Sequence, residues 1–392
     1  MLVDLHAHYP MHIPMGQPPG ARYWMTNTDR QSPWDKFRAW LLKELDDQDN
    51  FPAPNEPAVT IPNLKEGNVG VVLSVLYAPF DEMDLTKEYG APPEEQYFED
   101  IANQLRAVEE EVKTKYDADA AVVHNQKELA DAMAANKVAL IHAIEGGFQL
   151  GDQEDRIRQN VQNLAGLGVG YVTVAHLFFR QIATNAPAIP FLSDWIYHLL
   201  FPQSGALTKL GETAVGAMMD NHILIDLTHM SEASITATLD LMDQIDTQKT
   251  APVVATHAAY RFGKAEYNLT DEHISRIIER DGVVGLIACD HWMTDGIRGK
   301  TTTFDESMQV LTRHIDKIAG FTNDYRHIAI GSDLDGFIKP PLVGLEFPKG
   351  FNNVYDFLTT HYNSRDIADQ IFNKNALRLL GYWGAEKPAP EV

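Results

Sequence analysis

Eight stretches of almost unbroken apolar sequence recur along the chain, and most are followed by a stretch with helical spacing. They fall at the first residues and at about 68–77, 137–145, 168–176, 222–229, 251–257, 282–289 and 327–333. A strand covered on one side alternates apolar with polar residues. A strand that is apolar throughout must be covered on both. Such strands alternating with helices build a parallel sheet between helical layers. Eight units in 392 residues fit a closed (β/α)8 TIM barrel, an α/β fold. A doubly wound open sheet is the alternative, but no GxGxxG follows the first strand, and the strand count suits closure.

A hydrophobic content of 44% with no compositional break points to one large domain, expected over 1–385. It carries an aromatic insertion at about 9–63, with helical spacing at 34–45, and a Pro-rich tail at 386–392. Helices are expected at 94–116, 126–136, 152–166, 208–221, 231–245, 270–280 and 305–319, with closing helices around 352–380.

The strand ends carry the chemistry. The first strand ends in Asp4-Leu5-His6-Ala7-His8, with two imidazoles two residues apart and therefore on one face. The third ends in Glu145, followed by Gly146-Gly147. The next three end in His176, His229 and His257, and the eighth in Asp333. Singly, each has a structural reading: a capped strand, a turn carboxylate, an Asx-turn. Together they occupy six of eight strand ends, and a barrel gathers its C-terminal strand ends at one face.

Imidazoles and carboxylates without cysteine ligands suit a divalent metal, zinc first, with manganese, cobalt and iron as competitors. The set is too large for one tetrahedral catalytic ion and suits two ions. Glu145 is the expected bridge, with His6 and His8 on one ion and His229 and His257 on the other. A water between two such ions becomes a hydroxide nucleophile. Asp333 is expected to orient it and shuttle its proton, and His176 to polarise the substrate carbonyl or hold the oxyanion. The implied reaction is metal-assisted hydrolysis of an amide. The fold expectation thus sharpens to a barrel of the metal-dependent hydrolase type.

A net charge of -23 leaves nothing to neutralise phosphates, so neither nucleic acid nor an anionic membrane surface is an expected partner. Cys289 is the single cysteine, so no intramolecular disulfide is expected. No run is long enough for a membrane span, and no basic-then-apolar leader opens the sequence, which makes cytoplasmic the default location.

With these residues in order, the chain resembles the membrane (renal) dipeptidase family of binuclear zinc peptidases, peptidase family M19, a branch of the amidohydrolase superfamily. The landmarks are Asp4 to His8, Ile144-Glu145-Gly146-Gly147, Val172 to His176, Ile225-Asp226-Leu227-Thr228-His229-Met230-Ser231, Ala255-Thr256-His257 and Ile330 to Gly336. The resemblance implies the same ligand set, with His176 on the substrate carbonyl and Asp333 as acid/base. It implies a dipeptide or dipeptide-like small-molecule substrate.

Two departures stand out. The family usually has Asp where this chain has His8. A neutral ligand there makes the site more positive by one unit and should lower the pKa of a bound water. The family also usually places an Arg before the Asn-Leu-Thr-Asp-like segment, to pair with the substrate carboxylate. Here that position is Tyr267, which cannot form a bidentate ion pair. Arg261 is the candidate replacement and, with Tyr267, a candidate substrate-binding residue. Asp290 and His291, ending the seventh strand, are expected to touch substrate or each other. An amidohydrolase acting on a non-dipeptide amide or lactam, and a non-catalytic metal-binding descendant, are the alternatives. The insertion and the stretch at 178–200 are candidates for a lid or a homodimer interface.

Overall fold

The computed structural model describes residues 1–13, 57–82, 89–189, 192–336 and 340–384. The expected helix at 34–45, most of the aromatic insertion and the Pro-rich tail lie outside the described residues.

Nine parallel strands appear among the described residues: β1 (Leu2–Ala7), β2 (Val69–Leu76), β3 (Ala120–Val122), β4 (Val138–Glu145), β5 (Tyr171–Thr173), β6 (Leu224–Asp226), β7 (Val253–Ala258), β8 (Val283–Leu286) and β9 (Ile328–Ile330). Eight of them follow one another in the order β1-β2-β4-β5-β6-β7-β8-β9. Ala7 bridges Leu334, Asp333 N donates to His6 O (2.8 Å) and His8 N donates to Leu334 O (2.9 Å), which closes the circle. This is the expected (β/α)8 barrel. The ninth strand, β3, is an unexpected addition that pairs only with the start of β4, from Ala120 opposite Val138 to Val122 opposite Leu140.

Strand periodicity sorts the core. Val71, Leu73, Val75, Ala139, Ile141 and Ala143 join one buried cluster with Val3, Leu5, Tyr171, Leu224 and Val254. The alternate residues Val72, Leu76, Leu140 and Ile144 join a larger cluster with the helices. Two-residue alternation within strands buried on both faces produces this division into barrel interior and helix-facing layer.

Several ladders are shorter than the apolar runs suggested. The run at 222–229 pairs only over Leu224–Asp226, and that at 327–333 only over Ile328–Ile330. Their polar ends peel into turns instead. The helices that follow are fixed at their starts by side-chain caps. Ser231 accepts from Ser234 N and begins Glu232–Ile245, which buries Ile235, Thr238, Leu239 and Met242 along one face. Thr270 and Thr303 cap Asp271–Glu279 and Phe304–Ala319 in the same way. Each cap stabilises by about 1 kcal/mol and also sets where the preceding loop must end. No helix among the described residues is long and apolar enough to cross a membrane.

Candidate metal centre

Glu145 ends β4 at the mouth of the barrel and is buried. Gly146 follows with φ 104°, a backbone conformation that a side chain would strain, so the chain can turn away directly after the carboxylate. Imidazoles surround both carboxylate oxygens. Oε1 lies 3.4 Å from His6 Nε2, 3.5 Å from His229 Nε2 and 3.4 Å from His257 Nε2. Oε2 lies 3.4 Å from both His8 Nε2 and His176 Nε2. Asp333 completes the group, its Oδ1 3.0 Å from His8 Nε2 and 3.6 Å from His6 Nε2. The seven residues expected as metal ligands and catalytic groups are therefore brought together.

Their backbone settings differ. His6 and His257 lie within strands. His8 has left β1 for the short turn at Tyr9–His12, yet its Nε2 still sits 3.3 Å from that of His6. His229 and Asp333 adopt left-handed backbone, φ 66° and φ 58°. Such strain in non-glycine residues gathers where a side chain must be aimed.

The donor set fits a metal. His6 and His8 bring their Nε2 atoms to 3.3 Å, and His229 and His257 bring theirs to 3.0 Å, all buried. Two imidazole lone pairs that close repel unless a proton or cation lies between them. Nitrogen and carboxylate donors without sulfur are what zinc and its neighbours take. Among the described residues, three compact groups could hold an ion: His6, His8 and Glu145; Glu145, His176 and His229; and His6, Asp226 and His257. The oxygens of Glu145 thus do not divide the imidazoles into the two expected pairs, since His176 shares a group with His229.

Electrostatics favour an ionised Glu145. Burial opposes its charge, but the His176 and His6 imidazoles hold the carboxyl well below its usual range. Burial also pulls His176 down, but the Glu145 and Glu82 carboxylates outweigh it and raise the imidazole to about 9.

Glu82 was not anticipated. It ends a short helix after β2 (Pro79–Glu82), at a strand end that showed no polar residue in the sequence. Its Oε2 lies 2.7 Å from His176 Nδ1 and accepts from Tyr77 OH at 2.7 Å, while Oε1 accepts from Phe178 N at 2.8 Å. The only sequence signal was an acidic pair, Asp81-Glu82, a few residues past the strand.

The expected substrate contacts are placed differently. Tyr267 is buried beside the cluster, its ring 5.1 Å from that of His229 and stacked on Trp292 at 4.6 Å. Its hydroxyl donates to His257 O at 2.7 Å. The guanidinium of Arg261 donates to Asn268 O (2.8 Å) and Glu266 O (2.6 Å) and pairs with Glu232. It holds its own loop. Asp290 Oδ1 accepts from Thr301 N at 2.9 Å, so this carboxylate also braces a loop.

A closed parallel barrel with imidazoles and carboxylates converging at the C-terminal ends of its strands defines a (β/α)8 metallohydrolase, here of the metallo-dipeptidase-like kind. The chain belongs to the membrane dipeptidase family, peptidase family M19, whose model matches residues 33–387. A dipeptidase of Claviceps purpurea, tcpJ, is 25% identical over 351 residues, 88% of this chain and 73% of that protein. Among solved structures, a metallopeptidase from Rhodobacter sphaeroides, liganded with a phosphinate mimic of L-Ala-D-Ala, is 18% identical. It superposes with a TM-score of 0.69 over 97% of this chain and 99% of that one. The probable dipeptidase PvdM from Pseudomonas aeruginosa is 16% identical, with a TM-score of 0.66 over 86% of this chain and 90% of its own.

Proposed function

We propose that the protein cleaves the amide bond of a dipeptide or dipeptide-like small molecule at a site holding two divalent ions, zinc first among the candidates. Glu145, with imidazoles at 3.4 to 3.5 Å from both of its carboxylate oxygens, carries this reading. His6 and His8 would hold one ion and His229 and His257 the second, with Glu145 within reach of either. Such ions acidify water and polarise a carbonyl.

The chain's own groups do the rest. Asp333, 3.0 Å from His8, orients the attacking water, takes its proton and returns one to the leaving amine. His176, held by Glu82, points Nε2 at the cluster to meet the substrate carbonyl and the oxyanion that forms from it. His8 in place of a carboxylate leaves the site one unit more positive, which favours ionised water at lower pH.

A second reading has a specific observation behind it. The hydroxyl of Tyr267 gives its one proton to His257 O, and the guanidinium of Arg261 is held by Asn268 O, Glu266 O and Glu232 in its own loop region, so neither is set up as a bidentate clamp for a substrate carboxylate. That favours an amide or lactam whose leaving side carries no carboxylate, walled by the Tyr267 and Trp292 rings.

A substrate panel on metal-loaded protein tests both: L-L and L-D dipeptides, the same dipeptides amidated at the carboxyl end, and N-acyl amino acids. Hydrolysis of free dipeptides with a large loss on amidation supports the first reading. Equal or better turnover of the amidated set supports the second. No turnover of any amide, with metal present, contradicts both.

A homodimer is part of the same proposal, because Trp195, Leu199 and Leu200 stand 73%, 65% and 56% exposed on the helix Asp194–Leu200. Sedimentation at micromolar protein tests it. A cytoplasmic setting agrees with the single, buried cysteine.

A further inference from the structure

Asp226, the last residue of β6, is buried among the groups behind the metal-facing nitrogens. Its carboxylate accepts five hydrogen bonds. Oδ1 takes them from Thr228 N (3.0 Å), Thr228 Oγ1 (2.7 Å) and Thr256 N (2.9 Å). Oδ2 takes them from Thr173 Oγ1 (2.6 Å) and Thr256 Oγ1 (2.7 Å). A carboxylate offers about four lone-pair sites, so these donors saturate it. Asp226 is then no ligand, although it groups with His6 and His257 as one of the compact donor sets.

Saturation has a consequence one residue further on. The Thr256 hydroxyl has a single proton, and that proton is given to Asp226. Toward every other neighbour Thr256 Oγ1 can only accept. Those neighbours are His257 Nδ1 at 2.9 Å and His6 Nδ1 at 3.2 Å, and His6 Nδ1 has a second oxygen, Tyr171 Oη, at 2.7 Å. An imidazole nitrogen facing an oxygen that can only accept must itself carry the hydrogen, which fixes His257; at His6 the same tautomer holds when the Tyr171 hydroxyl accepts rather than donates. A neutral imidazole protonated on Nδ1 keeps its lone pair on Nε2. Both Nε2 atoms face Glu145 Oε1 at 3.4 Å.

We propose that Asp226 and Thr256 form a positioning relay that fixes the metal-binding tautomer of His6 and His257 together, so that both ion sites depend on one buried hydroxyl. The proposal rests on the metallohydrolase reading, in which these two histidines serve different ions. Among the described residues His8 and His229 show no such support, since the Nδ1 atom of each is buried without a partner there. The relay therefore supplies the orienting contact for one imidazole in each pair. Outer partners of this kind govern metal affinity because they set ligand tautomer and ring angle.

Thr256→Val removes the hydroxyl at nearly constant shape, and Thr256→Ser restores it. Zinc affinity is read by competition with a chromophoric chelator, and folding by circular dichroism. Thr256→Val should weaken both ions together by about 10- to 100-fold, with Thr256→Ser near the native value. Native affinity in Thr256→Val, or loss of only one ion, overturns the relay. Nitrogen-15 spectra of histidine-labelled, metal-free native protein give a readout that does not depend on a variant folding. His6 and His257 should both appear as Nδ1–H tautomers, and Nε2–H at either contradicts the proposal. Native protein that binds no zinc at all removes the metallohydrolase reading and the relay with it. Native uptake with an indifferent Thr256→Val removes the relay alone.

Discussion

The groups carried on strands and those carried on turns are built differently, although they meet at one carboxylate. His6 and His257 sit within β1 and β7, and the Nδ1 of each has an oxygen partner, Thr256 in common. His8, His229 and Asp333 lie just past strand ends. Their aim depends on turn geometry, and His229 and Asp333 hold positive φ to achieve it. The difference suggests a division of labour. Strand-borne imidazoles are held by backbone pairing, which resists displacement. Turn-borne groups sit where small backbone changes re-aim a side chain, which suits the proton-transfer role proposed for Asp333.

Asp333→Asn is the sharpest way to break that division. It keeps the shape of the turn and removes the proposed acid/base. Turnover should fall by about 10²- to 10⁴-fold with metal content unchanged. Lost metal would make Asp333 part of the grip, and unchanged turnover would remove its proposed role.

The next effect tests the support beneath the His257 side. His314, in the helix Phe304–Ala319, accepts from Tyr260 N at 3.1 Å and has its Nε2 2.8 Å from Met293 O. It thereby ties together the loops after β7 and β8. Burial lowers its pKa from an ordinary 6.5 to about 4. Between those values the unfolded chain binds the proton and the native protein does not, so stability falls as pH drops through that window and this contribution levels off below it. The loss amounts to about 3 kcal/mol. Urea midpoints from pH 7 to 4 measure it. His314→Gln should be less stable at pH 7 but show a flatter decline, and an equal slope would place the acid sensitivity elsewhere.

Glu82→Gln should give the smallest of the three effects. The amide cannot hold His176 as a carboxylate does, so kcat should fall by about 10- to 100-fold with metal content preserved. An unchanged kcat would mean that the Tyr77 edge contact, 4.6 Å between ring centroids, already fixes the His176 ring.

Much of this was legible in the sequence, for reasons that follow the same division. Strands buried on both faces must be apolar, so the barrel showed as apolar runs. The candidate ligands at their ends showed as the polar residue that stops each run: His6, Glu145, His257. The rest was hidden where one-dimensional pattern has no purchase. β3 is three residues long and lies between charged helices, too short for periodicity to mark. Glu82 reaches His176 across 94 positions, from the segment after β2 to that after β5, with β4 between the two strands. Asp226 and Thr256 stood within recognised segments, but their role depends on which oxygen spends its proton on which, and only geometry reveals that. Arg261 and Tyr267 were singled out by chemical type, while the structure shows the Arg261 guanidinium bonded to its own loop and the Tyr267 hydroxyl to His257 O.

Elemental analysis of protein purified without chelator tests the central claim most directly. Two sets of imidazoles about one carboxylate predict close to two transition-metal ions per chain, zinc foremost, with a Glu145→Gln variant holding markedly less. A content near zero that zinc or manganese does not raise, or a firm single ion unaffected by Glu145→Gln, would contradict a binuclear centre built on Glu145.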